Sequence, residues 1–323
     1  MSKWSSNKDS QLIFEAWRKF VKEVELPADF SQWDVVKTVD FLNSPEGQDP
    51  KVRAALGSGE GDGKPGDERI KVNREGSSPV SKLFPTQNEI SLMKSIGFPL
   101  SVVGSLENVD SGDITGRGKR IMASGNLVID GHHRWSSTFA INPNANINTV
   151  DIQFPGGKSL NKLSVAQVAI AGTMGAKGAN SPIPAATAGS DEQGEKKTTG
   201  DNILGASAKN IASMIKKRIG QVGDPKAGPL LGPEYLKEVV NSPVAQKYLG
   251  VKPGMDAKTA ATVIIDRVAN NLSKLPPPQG PRRKYMPQFD GGETHKGQVD
   301  ADDVVANIET GKINYKVPYK GQK

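Results

Sequence analysis

The chain contains no cysteine. Disulfides, thiolate zinc sites, iron–sulfur clusters and cysteine nucleophiles are therefore excluded. Histidine is nearly as scarce, with three in 323 residues, two of them adjacent. Aromatic residues make up 6% and hydrophobic residues 36%, little for a fully packed globule, whereas glycine (35) and proline (22) are abundant. A compact part joined by irregular segments is the expectation. No apolar run approaches the roughly 20 residues that cross a bilayer. The start of the chain also lacks the apolar core of a signal peptide. The expectation is a soluble protein of intracellular origin with no membrane partner.

Charge is present but uneven. Residues 1–60 carry 8 basic and 10 acidic side chains, residues 61–156 carry 10 of each, and residues 157–323 carry 24 and 15. The overall excess of +7 thus belongs to the C-terminal half. Basic charge there suits nucleic acid or another polyanion.

The pattern along the chain predicts an α+β fold, a small mixed-sheet domain with a helical C-terminal region and flexible linkers. Residues 1–56 read as a helical segment. Within it Leu12, Ile13, Trp17, Phe20, Val21 and Val24 share one face of a helix over 8–24, and a shorter helix spans Trp33 to Leu42. Residues 57–68, "GSGEGDGKPGDE", read as a linker. They miss a phosphate-binding P-loop, because Ser58 stands where its first glycine belongs and Pro65 follows the lysine. Residues 69–170 alternate strand-like runs ("RIKVN", "PVSKLF", "LSVVGSL", "KRIMASGNLVID", "INTVDIQF") with two helix candidates, "TQNEISLMKSIGF" and "HHRWSSTFAI". In the latter Trp135 and Phe139 pair at i, i+4. Residues 171–202 read as a second linker and 203–275 as three helices, the first striped by Ile203, Ala208, Ile211, Ile215 and Ile219. Residues 276–323 read as an extended basic tail carrying one short helix.

The richest stretch is "LVIDGHHRW", residues 127–135. An apolar strand ends in an acid, a glycine turns the chain, and a helix starts. Such a start aims free N–H groups and the positive end of the helix dipole at an anion. Gly131 lets the backbone approach closely, and Arg134 offers a fork that matches phosphate oxygens. His132 and His133 are candidates to donate hydrogen bonds or move protons. Asp130 is a candidate to orient a histidine or to hold Mg²⁺ through water. The phosphate-binding set is thus Asp130, Gly131, His132, His133 and Arg134. The bland alternative is an Asp-Gly hairpin turn with exposed polar residues. A histidine-pair metal site is disfavoured, because adjacent helical residues point about 100° apart. "GDITGRGKR" adds Arg117, Lys119 and Arg120 as a candidate basic flap over phosphates, the alternative being a flexible hairpin loop.

"LVIDGHHRW" resembles the signature of the ParB/sulfiredoxin superfamily, in particular its DGHHR branch of ParB-like nuclease-annotated proteins and free serine kinases. "VSKLFPTQNEI", residues 80–90, is similar to that family's first box. The likeness covers about residues 69–156, under a third of the chain. It implies a small α/β domain that binds a nucleotide phosphate at the strand–helix turn, with ATP, ADP or CTP and Mg²⁺ as ligands. It also implies that Glu89, which matches the kinase branch's glutamate approximately, acts as a base; a carboxylate at a helix start is more commonly a cap. Sulfiredoxin chemistry requires a cysteine that this chain lacks, and the histidine pair departs from the arginine-rich turn of the CTP-binding clamps.

Three functions follow as expectations. The first is nucleotide binding with phosphoryl transfer or nucleotide hydrolysis, with Glu89, His132 and His133 as catalytic residues. The second is a ParB-like nuclease or DNA-binding protein using the basic C-terminal half. The third is a non-enzymatic phage virion component, because "LIFEAWRKF" resembles short N-terminal segments of phage-encoded proteins. The corresponding location is the cytoplasm of a host cell or the virion, with phage particle proteins as partners in the latter case.

Overall fold

The computed structural model describes residues 29–59, 64, 66–184, 201–222, 227–291 and 297–316. The expected helix over 8–24 and His295 lie outside them. Two helices come first. α1 (Val35–Asn43) is capped by the Asp34 carboxylate, which accepts from the Val36 N–H at 2.7 Å, and α2 (Pro50–Leu56) by Asp49 on Lys51 at 2.7 Å. Then follow β1 (Val72–Pro79), β2 (Phe84–Pro85), α3 (Leu92–Ile96), β3 (Ile121–Ser124), β4 (Leu127–Asp130), α4 (His132–Ile141), β5 (Asn146–Ile152) and α5 (Ser159–Ala176). Helices α6 (Ala208–Lys216), α7 (Pro233–Val239), α8 (Pro243–Leu249), α9 (Ala257–Leu272) and α10 (Ala301–Thr310) complete the chain.

Among the described residues, five strands form one mixed sheet in the order β1-β5-β3-β4-β2. β1 with β5 and β3 with β4 are antiparallel; β3 with β5 and β2 with β4 are parallel. The fold is α+β, and helices cover both faces of the sheet. β4 shows why. Leu127 and Ile129 are buried with α1, α2, α5 and α10, whereas Val128 between them faces α3, α4 and α9. A short, continuously apolar strand is what two covered faces require. Each such buried side chain contributes roughly 1.5–3 kcal/mol.

Several segments differ from the sequence expectation. Residues 171–176 are not linker but the end of α5, whose side chains from Leu163 to Met174 are all buried. Small residues there serve close packing: a Cβ on Gly175 would stand 1.9 Å from the Arg53 carbonyl oxygen of α2. "LSVVGSL" is no strand. It leads into a 3-10 turn, Val103–Asn108, that buries Val103, Leu106 and Val109, spaced three apart to suit its three-residue period. α6 stops at Lys216, so Ile219 leaves the stripe and is 43% exposed. The 203–275 helices pack directly on α4, where the Asn271 amide donates to the Ala140 carbonyl at 2.8 Å.

The expected tail is the largest correction. Met286, Phe289 and Val299 are buried in the core, as are Val304, Val305 and Ile308 of α10. The backbone N–H of Ile70 reaches the Ile308 carbonyl at 3.2 Å, and the Arg74 guanidinium pairs with Glu309 at 2.6 Å. Prolines and charges suggested a solvated segment. A few well-spaced apolar residues were enough to dock it.

Candidate phosphate-binding site

Two parallel strands end side by side. Phe84 of β2 lies opposite Leu127 of β4, and Pro85 opposite Val128. Their carboxyl ends open on one edge, the place where α/β sheets bind ligands. From β2 the chain enters the turn 86–91. From β4 it turns at Gly131 into α4. The Gly131 φ of 87° is left-handed, and an added Cβ would stand 2.7 Å from the Ile121 Cγ2. Gly131→Ala is therefore expected to cost about 1–3 kcal/mol. Urea unfolding checks this, and an unchanged midpoint would contradict it.

α4 starts without a side-chain cap. Its first-turn N–H groups are left for a ligand or water. They border a cavity of about 200 Å³ lined by Asp130 to Arg134, Gln87, Arg283 and Gln288. A second cleft of about 420 Å³ shares Asp130 and Arg134 with it and mixes Arg74, Lys119 and Arg120 with Glu75, Asp290, Asp300 and Asp302. Arg134 Nη1 and Arg283 Nε are buried donors with no hydrogen-bond partner among the described residues.

The two histidines behave differently from expectation. His132 is 4% exposed. Its Nε2 accepts from the backbone N–H groups of Thr86 and Gln87, each at 3.2 Å. Accepting at Nε2 requires a ring with no proton there. Burial, with the Arg283 charge adding to it, lowers its pKa to about 3. The His133 Nε2 likewise accepts from the Ser91 N–H at 3.3 Å. Burial and the charges of Arg283 and Lys94 hold its pKa well below the usual histidine range. Both rings are neutral at physiological pH. They tie the turn 86–91 to α4, and neither serves as a phosphate donor through Nε2 nor as a proton shuttle near neutrality.

Asp130 is also an anchor. Its carboxylate accepts from the Gly131 N–H at 2.6 Å and the Phe289 N–H at 3.3 Å. Burial raises its pKa, and the Arg134 charge opposes that shift. Both oxygens are engaged by backbone. Among the described residues no group of three or more acidic or histidine side chains could hold a metal ion. The expected magnesium role of Asp130 does not fit this arrangement.

The other expected residues divide. Lys119 and Arg120 reach the larger cleft, paired with Asp290 at 3.5 Å and with Glu75 respectively. Arg117 instead lies 5.5 Å from the Phe98 ring centroid, outside both clefts. Glu89 is half-buried and faces Arg283 electrostatically, but it does not line the smaller cavity.

Sequence reasoning missed the groups that arrive from elsewhere. Arg283, Gln288 and the Phe289 N–H come from the segment read as a tail. Asp201 comes from the end of the expected second linker. It accepts from the Ser91 hydroxyl at 3.0 Å, and its carbonyl accepts from the Leu92 N–H at 2.9 Å. The only local sign was "PRRK" at 281–284, a dense basic cluster directly after a proline-rich run.

Comparison of the chain with models of protein families, with curated proteins and with solved structures finds no match.

Proposed function

We propose that the chain binds a nucleoside di- or triphosphate, with its phosphates at the uncapped start of α4. One observation carries this reading: two buried guanidinium nitrogens, Arg134 Nη1 and Arg283 Nε, lack partners beside that helix start. A buried unsatisfied donor costs about 1–3 kcal/mol, more when charged. Phosphate oxygens satisfy both donors and gain the helix dipole as well. The adjoining cleft extends the space beyond what one phosphate needs, into the size range of small-molecule sites. The resemblance of "LVIDGHHRW" to the ParB/sulfiredoxin signature supports a nucleotide, with ATP, ADP and CTP as the candidates. Magnesium then enters with the phosphates, which is its usual mode of binding.

The reaction class is phosphoryl transfer or nucleotide hydrolysis. Such chemistry depends on positioning and charge neutralisation more than on covalent help. The histidines hold the scaffold, so Glu89 is the base in this reading. Titration of the full chain with ATP, ADP and CTP, with and without magnesium, tests the binding. At least one nucleotide should saturate one site; no binding of any of the three would overturn the reading. Glu89→Gln should lower turnover by about a hundredfold or more, well beyond the smaller loss of nucleotide affinity that follows from removing one of the acids that attract Arg283. Equal turnover in the two proteins would remove Glu89 from the mechanism.

A further inference from the structure

Residues 277–290 form a strap across the open edge of β2 and β4. The Gln279 N–H donates to the Pro85 carbonyl at 2.8 Å, and the Asn88 N–H to the Pro281 carbonyl at 3.3 Å. Between them Gly280 lies so close to the turn that a Cβ would stand 1.8 Å from the Thr86 oxygen. Beyond the strap's short 3-10 turn, Arg283–Tyr285, the Tyr285 carbonyl accepts from the Gln167 amide of α5 at 2.9 Å. The Phe289 N–H then reaches the Asp130 carboxylate. The strap is thus fixed at the first turn, at α5 and at the acid of the DGHHR turn.

This path brings Arg283 to the smaller cavity, which Arg134 also lines. The guanidinium is half-buried, and Glu89 and Asp201 attract it without forming a hydrogen bond to its Nε. Asp201 Oδ1 is likewise buried and unpartnered. A strong donor is therefore held in place by nearby acids, with one N–H left unsatisfied.

We infer that Arg283 is the second phosphate-binding guanidinium of the site, and that the strap is part of the ligand site rather than its cover. This rests on the nucleotide-phosphate reading and names the ligand chemistry further. One guanidinium comes from α4 and one from the strap, and both line the smaller cavity. Two forks brought to one cavity by different elements suit linked phosphates better than a single one. The ligand class is a pyrophosphate-containing molecule, and Arg283 supplies the preference for it over orthophosphate.

The test uses the full chain with inorganic pyrophosphate and orthophosphate as probes, read by calorimetry. The wild type should bind pyrophosphate more tightly than orthophosphate. Arg283→Gln should weaken pyrophosphate binding by about tenfold or more while changing orthophosphate binding little. Arg283→Lys keeps the charge but loses the planar fork, so its loss should be smaller. It also serves as the readout if the glutamine variant fails to fold. A folded Arg283→Gln, or Arg283→Lys in its place, that binds pyrophosphate as the wild type does would overturn the inference. If Arg134→Ala still weakens nucleotide binding, the nucleotide reading survives alone. Absence of pyrophosphate and nucleotide binding in the wild type would overturn both.

Discussion

Arg134→Ala weakens nucleotide binding by about ten- to a hundredfold while leaving the fold intact; this is the expected result of losing a charged donor pair to phosphate, worth about 1.5–3 kcal/mol. The separation of the two effects follows from its surroundings. Arg134 Nη1 has no hydrogen-bond partner among the described residues, so its removal breaks no bond of that atom there. What disappears is an attraction to Asp130, whose carboxylate is already pushed toward protonation by burial. Aliphatic packing along α4 remains with Trp135, whose indole N–H donates to the Val80 carbonyl at 2.9 Å, and with Phe139, edge-on at 5.9 Å. Calorimetric titration and a melting curve on the same preparation measure both quantities. A Kd equal to the wild type's would remove Arg134 from the site. Arg134→Lys should fall between, since it keeps the charge without the fork.

His132→Ala should destabilise the protein by about 3–5 kcal/mol, the combined cost of a core cavity and two backbone donors left without an acceptor. Those donors are the Thr86 and Gln87 N–H groups that bond to Nε2. His132→Gln tests the cause, because its side-chain oxygen can occupy the place of Nε2. It should restore most of the loss, whereas a proton-moving histidine would not be rescued by glutamine. The pH dependence provides a second check. The folded-state pKa of His132, about 3, lies below the ordinary value of 6.5. Below pH 6.5 the unfolded chain takes up a proton that the folded chain refuses. The stabilisation is complete above pH 6.5 and declines toward pH 3, at about 1.4 kcal/mol per pH unit. His133 acts in the same direction. Raised carboxyl groups have the opposite sign: Glu68, raised to about 7 chiefly by burial, and Asp130 lose stabilisation as pH rises. The difference between wild type and His132→Gln isolates the histidine. Denaturant unfolding from pH 4 to 8 should show the wild type losing stability relative to His132→Gln below pH 6.5. A pH-independent difference would contradict a neutral, buried His132.

The strands β3, β4 and β5 and the motif's local form were legible in the sequence for a physical reason, whereas β1 bridges the gap between two expected runs. "LVID" is apolar on both faces, the glycine demands a left-handed turn, and Trp135 and Phe139 are one helical turn apart. All of that is local information. The roles of the histidines were not legible, because they depend on partners some 42–46 residues away, at Thr86, Gln87 and Ser91. A histidine beside phosphate and a histidine bonding a buried amide look the same in sequence. Segment 276–316 was misread for a related reason. Proline and charge dominate its composition, yet Met286, Phe289 and Val299 settle where it goes. Arg283 could only be found once that path was known. The end of α5 was misread because small residues signal a linker by composition and a close helix contact by structure, and only Arg53 and Gly175 together distinguish them.

The central claim is that phosphate oxygens meet the first turn of α4. Backbone amide resonances measured during titration of the full chain with pyrophosphate test it most directly. The N–H signals of His132, His133 and Arg134 should shift together and saturate with a single affinity, and Arg134→Ala should move that affinity to higher concentration. Amides at the α4 start that stay fixed, while signals over the basic C-terminal helices drift without saturating, would contradict it.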